Sequence, residues 1–325
     1  MISKPRSHPG ILHHYTENLV AFEYTTTSPS ISKPHSILFI GGLGDGLATT
    51  SYTTDIIHAL QPTPWSFFSL VLSSSYSQWG ELKASCGKIV LMGHSTGSQA
   101  VLHYLYNPNP HDSAPAFDPE LRHPVRPALD GAIMQAPVSD REELQMCARD
   151  GFGEKSPAEV EALFREIEAI VRDGARGDQA FDTLLPLALT SPIYGRVPIS
   201  CRRFMSLLSP TSPSEPHEDD LFSSDLSDER LAATFGMVAT RRLLKGRLLV
   251  LVSGADQSVP EYVDKEDLLS RWRNAANQRE KESVWDDEYS GVIPGASHAL
   301  SDGDQEEPRK DLVKRILGYI HCLEQ

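Results

Sequence analysis

Short apolar runs alternate with helix-like stretches in the first half of the chain. The apolar runs, each of strand length, lie at residues 36–40, 65–72, 88–92 and 129–135. Helix-like sequence occupies residues 52–60 and begins again after residue 98. Strands that alternate with helices predict a parallel sheet with right-handed crossovers. Two further β-like segments, residues 11–15 and 18–24, precede this pattern.

The pattern changes after residue 137. Helical stretches at 157–172 and 179–189 are separated by proline-rich loops and by an acidic run at 215–220. Strand and helix patterns then return, with a strand at 247–252, a helix at 264–275, a β-like stretch ending at 293 and an amphipathic helix at 308–323. We therefore predict a sheet core built from residues 1–137 and 246–325, with residues 138–245 inserted as a helical cap.

One passage is too short for this architecture. Only 15 residues, 73–87, separate the strand ending near Leu72 from the one starting at Lys88. A parallel crossover needs about a dozen residues or more and usually contains a helix. Residues 78–85 could form two turns at most. Either the helix is vestigial here or a segment has been lost from the chain.

Bulk composition narrows the class of protein. The 325 residues carry a net charge of −14, which argues against nucleic acid or an anionic membrane as partner. The four cysteines form no CxxC pair, so neither a zinc site nor a disulfide framework is predicted, and we expect no cofactor or metal. The first residues lack the apolar centre of a signal peptide, and no apolar run approaches the ~20 residues that span a bilayer. We expect a cytosolic protein; the sequence does not indicate its oligomeric state.

A G-x-S-x-G motif at residues 93–97 stands between an apolar strand and a helix. This strand–turn–helix context is typical of the nucleophile elbow of α/β-hydrolases. The tight turn lifts the serine hydroxyl off the sheet edge, and the helix that follows directs its N–H groups at developing negative charge. We predict Ser95 as the nucleophile; a merely structural turn is the competing interpretation.

An activated serine needs a base and an acid that orients the base, in the chain order serine, acid, histidine. His298 lies in a small-residue loop after the last strand and is predicted as the base, whereas His321 belongs to the terminal helix. Asp256 follows the apolar strand 247–252 and is the favoured acid. Asp140 follows an earlier strand and stays the rival, although its charged neighbours indicate a capped helix start.

Backbone N–H groups should form the oxyanion hole. One donor is the N–H of Thr96, and the second is expected at Gly42 or Leu43, in the glycine-rich loop after the strand at 36–40. That loop could instead hold a dinucleotide, but it fails the G-x-G-x-x-G register. His94 points away from Ser95 in a tight turn and is predicted to be a packing residue.

Taken together, these motifs resemble a family of fungal α/β-hydrolases that includes intracellular esterases of fusarinine-type hydroxamate siderophores. The matching stretches are IGGLGDG at 40–46, LSSSYSQWG at 72–80, IVLMGHSTG at 89–97, DDLFSSDL at 219–226, SGADQSVP at 253–260 and IPGASH at 293–298. The resemblance runs from about residue 10 to the C-terminus, and its triad falls on Ser95, Asp256 and His298. It also places a helix between Gly80 and Lys88, most of which is absent here.

The resemblance implies hydrolysis of the ester bonds of fusarinine C or its acetylated relative, which would release hydroxamate fragments and help to free iron. Asp219 and Asp220, with Glu218, could recruit the free amines of the unacetylated triester; a solvated acidic loop is the alternative. Two other functions stay open. A general carboxylesterase or thioesterase would share the catalytic residues, and a catalytically inactive relative would keep only the fold.

Overall fold

A computed structural model of the chain describes residues 7–14, 19–25, 31–70, 87–109, 125–174, 183–195, 197–278 and 283–325. Its centre is one eight-stranded sheet in the order β1-β2-β4-β3-β5-β6-β7-β8. The strands are β1 (Gly10–His14), β2 (Val20–Tyr24), β3 (His35–Ile40), β4 (Trp65–Leu70), β5 (Ile89–His94), β6 (Gly131–Gln135), β7 (Leu248–Ser253) and β8 (Gly291–Ile293). Strands β1 and β2 pair antiparallel, as do β2 and β4, and all other pairs are parallel.

The central strands are apolar along their whole length because both faces of a parallel sheet are covered. All six residues of β7 and all five of β6 are buried. Parallel pairing also brings the carboxyl ends of β3, β5, β6, β7 and β8 to one edge of the sheet. Ligands of open α/β sheets bind at that edge, and the loops that leave it contain the predicted site residues.

Ten α-helices lie within the described ranges. They are α1 (Thr53–Leu60), α2 (Thr96–Tyr106), α3 (Asp140–Asp150), α4 (Pro157–Gly174), α5 (Leu187–Tyr194), α6 (Cys201–Leu208), α7 (Asp228–Ala233), α8 (Val238–Arg241), α9 (Lys265–Asn277) and α10 (Glu306–Glu324). The helix α10 illustrates how they are held. Its inner stripe of Leu312, Ile316, Tyr319 and Ile320 is buried in the main apolar cluster of the sheet, at a spacing that keeps the four side chains on one helical face. In the described part of the chain, none of the helices combines the length and apolar character needed to cross a membrane.

Two compact units make up the chain. The first comprises Met1–Pro137, Ala232–Asp256 and Leu269–Gln325 and contains the sheet. The second comprises Val138–Leu231 and Gln257–Leu268, and it contains the helices α3 to α6 and most of α7. The helical cap at 138–245 stays a prediction.

The α/β-hydrolase fold predicted from sequence is confirmed: the sheet is mostly parallel and flanked by helices. Of the helix predicted at 179–189, the described residues 187–189 are helical and belong to α5, whereas residues 183–186 are not. Residues 183–186 are not helical, because Leu185 N–H donates to the Ile199 carbonyl and Cys201 N–H to the Thr183 carbonyl, and α5 begins only at Leu187. The short passage at 73–87 lies, except for Gly87, outside the described residues.

Candidate active site

Ser95 occupies a strained turn between β5 and α2. Its backbone angles are φ 54° and ψ −122°, a region that non-glycine residues rarely adopt and that functional sites often hold. Two glycines make the turn possible. A Cβ on Gly93 would lie 2.2 Å from the Gly97 carbonyl oxygen, and a Cβ on Gly97 would lie 2.3 Å from that of Ile40. The turn is therefore possible because neither position carries a side chain that would collide with backbone.

Three of the predicted site residues form one hydrogen-bonded chain. His298 Nε2 lies 2.9 Å from Ser95 Oγ, and His298 Nδ1 lies 2.8 Å from Asp256 Oδ2. The Asp256 carboxylate is fully buried, whereas the imidazole is 15% exposed. A buried carboxylate accepting from Nδ1–H fixes the tautomer in which Nε2 is free to take the serine proton. The arrangement can perform nucleophilic catalysis.

Backbone hydrogen bonds hold the acid and base loops against each other. The N–H of Gly254 donates to the Ile293 carbonyl, and the N–H of Ala255 donates to the Ala296 carbonyl. Buried Gln305 then closes the base loop, since its Oε1 accepts from the Ser297 N–H and its Nε2 donates to the Gly295 carbonyl. The loop that carries His298 is thus fixed at both sides. No sequence signal pointed to Gln305.

Thr96 begins α2, so its N–H is one of the helix N-terminal donors that lack an intrahelical partner. Gly42 lies beside the nucleophile, because a Cβ built on it would be 2.9 Å from Ser95 Cβ. The Gly42 N–H, however, donates to Asp45 Oδ2 at 2.8 Å. Of the two residues expected to supply the second oxyanion donor, Leu43 is therefore the one whose N–H is not used within the loop.

His94 is buried beside the triad, and its ring centroid lies 5.1 Å from that of His298. His94 Nδ1 is 2.5 Å from Gln135 Oε1, which also accepts from the Tyr52 hydroxyl at 2.8 Å. Because that oxygen can only accept, Nδ1 carries the proton of a neutral His94 ring. Sequence reasoning missed Gln135 and Tyr52. A signal for Gln135 existed: it is the one polar residue in the otherwise apolar strand β6.

The pKa of His94 is lowered from 6.5 to about 4, first by burial and then by the neighbouring His298. The unfolded chain therefore binds a proton at this position between those two values, whereas the folded chain does not. The contribution of a neutral His94 to the stability of the fold is therefore fully present above the pKa of the unfolded chain. It is lost progressively as the pH decreases towards the pKa of the folded chain.

We expect the free energy of unfolding to drop, between about pH 7 and pH 5, by about 2 kcal/mol more in the wild type than in His94→Gln. Urea unfolding at both pH values measures this difference without requiring equal absolute stabilities. His321→Gln, on an imidazole that is 70% exposed, serves as the control and should behave as the wild type. Equal pH dependence in wild type and His94→Gln would contradict the assigned pKa direction.

The two acidic residues predicted to bind substrate are buried and paired within the second unit. Asp219 forms an ion pair with Arg203, and the fully buried Asp220 carboxylate lies 3.1 Å from Arg141 Nε. Asp220 also accepts hydrogen bonds from Ser212 and Ser223. Their role in recruiting substrate amines stays a prediction. The pairing and burial favour a different role, which is to hold the second unit together.

Arg141→Ala should lower the free energy of unfolding by roughly 3–5 kcal/mol, because it leaves the Asp220 carboxylate buried without its cation. The double variant Arg141→Met/Asp220→Asn removes both charges and should be less destabilised than Arg141→Ala. Arg149→Ala is the matched control, since Arg149 and Asp150 pair on the exposed surface. Denaturant unfolding checks the order, and a double variant less stable than Arg141→Ala would contradict it.

Among the described residues, no group of three or more histidine, cysteine, aspartate or glutamate side chains is arranged to hold a metal ion. Ser95, His298 and Asp256, together with backbone N–H groups, are the reactive groups that the structure brings together at this site. With the strained elbow at the carboxyl edge of a mostly parallel sheet, these features define an α/β-hydrolase of the serine type.

The chain belongs to a family described as "Protein of unknown function (DUF1749)", whose profile matches residues 2–83 and 82–321. A fungal relative, fusarinine C esterase sidJ of Aspergillus fumigatus, is 58% identical over 343 aligned positions, covering 97% of this chain and 96% of that protein. The solved siderophore hydrolase EstB from Aspergillus fumigatus is 55% identical, with a TM-score of 0.84 and 98% of both chains covered. An α/β-hydrolase-fold protein of unknown function, 14% identical with a TM-score of 0.53, shares the fold.

The family match also bears on the short passage. It consists of two segments that overlap at residues 82–83, within the stretch that is too short for a crossover. The alignment with the fusarinine C esterase has 343 positions, more than the 325 residues of this chain, so that relative has residues without a counterpart here. The division of the family match within residues 73–87 favours the loss of a segment at this point over a vestigial helix.

Proposed function

We propose that the protein is a serine esterase that hydrolyses ester bonds of a fusarinine-type hydroxamate siderophore. The observation that carries the proposal is the hydrogen-bonded chain from Ser95 Oγ through His298 to Asp256 at the elbow. The substrate class rests on the names of two relatives of high identity, a fusarinine C esterase and a siderophore hydrolase. Ester cleavage would release hydroxamate fragments that hold iron less tightly.

In this proposal Ser95 Oγ attacks the ester carbonyl carbon while His298 Nε2 takes the hydroxyl proton. The buried Asp256 carboxylate stabilises the resulting imidazolium. The carbonyl oxygen becomes an oxyanion, and the N–H groups of Thr96 and Leu43 donate to it. The C–O bond to the alcohol then breaks, and His298 returns the proton to the leaving oxygen. Water attacks the acyl-enzyme by the same route and releases the acid.

Incubation with iron-free and ferric fusarinine C, followed by mass detection, tests the proposal. We expect linear products whose summed mass exceeds that of the cyclic triester by one water per bond cleaved, and no such products with Ser95→Ala. The triacetylated siderophore is tested in parallel to show whether the enzyme prefers acetylated or free amines on its substrate. A p-nitrophenyl ester reports general esterase activity. Hydrolysis of the p-nitrophenyl ester without any siderophore cleavage would reject the substrate assignment but keep the reaction class. Hydrolysis of neither would reject both.

A further inference from the structure

Asp45, in the glycine-rich loop after β3, has no part in the mechanism above. Its carboxylate folds back onto its own loop. Oδ2 accepts from the Gly42 N–H at 2.8 Å, and Oδ1 accepts from Thr49 Oγ1 at 2.9 Å. In return, the Asp45 N–H donates to the Gly42 carbonyl at 3.0 Å. Gly42 and Asp45 are therefore joined by two hydrogen bonds that run in opposite directions.

These bonds determine which N–H groups of the loop stay available. The Gly42 N–H is occupied by the carboxylate, whereas the hydrogen bonds among the described residues leave the Leu43 N–H without a partner. Leu43 lies between the two tied residues, so the direction of its N–H follows from the loop conformation that Asp45 maintains. Because the Asp45 carboxylate occupies the Gly42 N–H, the Leu43 N–H is the donor of this loop that stays available for an oxyanion.

The same loop is packed directly on the elbow. A Cβ on Gly42 would lie 2.9 Å from Ser95 Cβ and 3.4 Å from His94 Cδ2. The start of α2 approaches as closely, since a Cβ on Gly97 would lie 2.8 Å from the Gly41 carbonyl oxygen. Little space separates the loop from the nucleophile, so a change of loop conformation would displace the Leu43 N–H relative to Ser95 Oγ.

We propose that Asp45 is a positioning residue of the oxyanion hole: its carboxylate holds the Gly42 N–H so that the Leu43 N–H faces the oxyanion. The inference rests on the proposed function, because it requires Ser95 to be the nucleophile. Asp45 acts on the transition state through Leu43 and does not touch the substrate. Its loss should therefore lower kcat and leave KM nearly unchanged.

The test compares Asp45→Ala with Asp45→Asn on a p-nitrophenyl ester. Asp45→Ala removes both acceptors and should lower kcat by up to about 10²-fold, the scale of an ångström-level misplacement at a reacting centre, with KM within about two-fold. Asp45→Asn should recover most of the rate, because its Oδ1 can accept from the Gly42 N–H while its Nδ2 donates to Thr49 Oγ1. A trifluoromethyl ketone, which forms an oxyanion on reaction with serine, should lose affinity in parallel with kcat.

Asp55→Ala is the matched control, since Asp55 is a half-exposed carboxylate on α1 and should leave kcat unchanged. Thr49→Val keeps the test decisive if Asp45→Ala does not fold, because it removes the donor to Oδ1 and should lower kcat in the same direction. A wild-type kcat in Asp45→Ala would overturn the inference. If Asp45→Ala does not fold, a wild-type kcat in Thr49→Val would overturn it. Equal losses of kcat in Asp45→Ala and Asp45→Asn would overturn it as well. A wild type that neither hydrolyses the ester nor reacts with a fluorophosphonate would instead overturn the proposed function, and this inference with it.

Discussion

Ser95→Ala should reduce kcat for ester hydrolysis by ~10⁴-fold or more, the size of loss that removal of a triad serine causes in other hydrolases. The alanine cannot form the acyl-enzyme, and His298 Nε2, 2.9 Å from Ser95 Oγ, loses the hydroxyl from which it takes a proton. Steady-state turnover of a p-nitrophenyl ester and of fusarinine C measures the effect. Labelling by a fluorophosphonate should vanish in the same variant, because only an activated serine reacts with it.

Ser270→Ala is the control for this experiment, because Ser270 is exposed on α9, outside the loops that carry the triad residues. It should label and turn over as the wild type does. Unfolding of Ser95→Ala must remain cooperative for the loss to be assigned to chemistry. Substantial turnover in a folded Ser95→Ala protein would rule out Ser95 as the nucleophile and would leave the strained elbow without an explanation.

Asp256→Asn is expected to lower kcat by about 10⁴-fold, as the equivalent change does in a serine protease. The amide removes the negative charge that stabilises the imidazolium of His298. If the amide nitrogen faces His298 Nδ1, it also imposes the tautomer in which Nε2 carries a proton and cannot act as the base. The pH dependence of kcat/KM, measured on the residual activity, reports the changed ionisation of the histidine.

Asp140→Asn decides between the two acids considered from the sequence. Asp140 follows β6 and begins α3 in the second unit, whereas His298 Nδ1 hydrogen-bonds to Asp256 at 2.8 Å. Asp140→Asn should keep kcat within about ten-fold of the wild type, since it leaves that hydrogen bond intact. A larger loss in Asp140→Asn than in Asp256→Asn would reverse the assignment of the acid.

Local sequence was sufficient for the strands and for the choice of triad positions. The core strands are apolar over their whole length, and the glycines of the motif at 93–97 permit the tight turn, in which side chains at Gly93 or Gly97 would meet backbone. Chain order then limited the base to His298 or His321, of which His321 belongs to the terminal helix, and the acid to Asp256 or Asp140. The helix expected at 179–189 is wrong at residues 183–186 for a non-local reason: residues 183–185 pair with residues 199–201, and no local pattern reveals such a partner.

The identity of the fold, the strained serine position and the candidate acid and base were thus determined by the sequence itself, because each depends on short-range periodicity, glycine sterics or order along the chain. Only the tertiary structure decided which groups meet. It brings Ser95, Asp256 and His298 within hydrogen-bond distance across some 200 residues of chain. It also holds His94 neutral against Gln135 and buries Asp220 beside Arg141. Hydrogen-bond partners and burial arise from packing between distant segments, and the sequence of one segment does not contain that information.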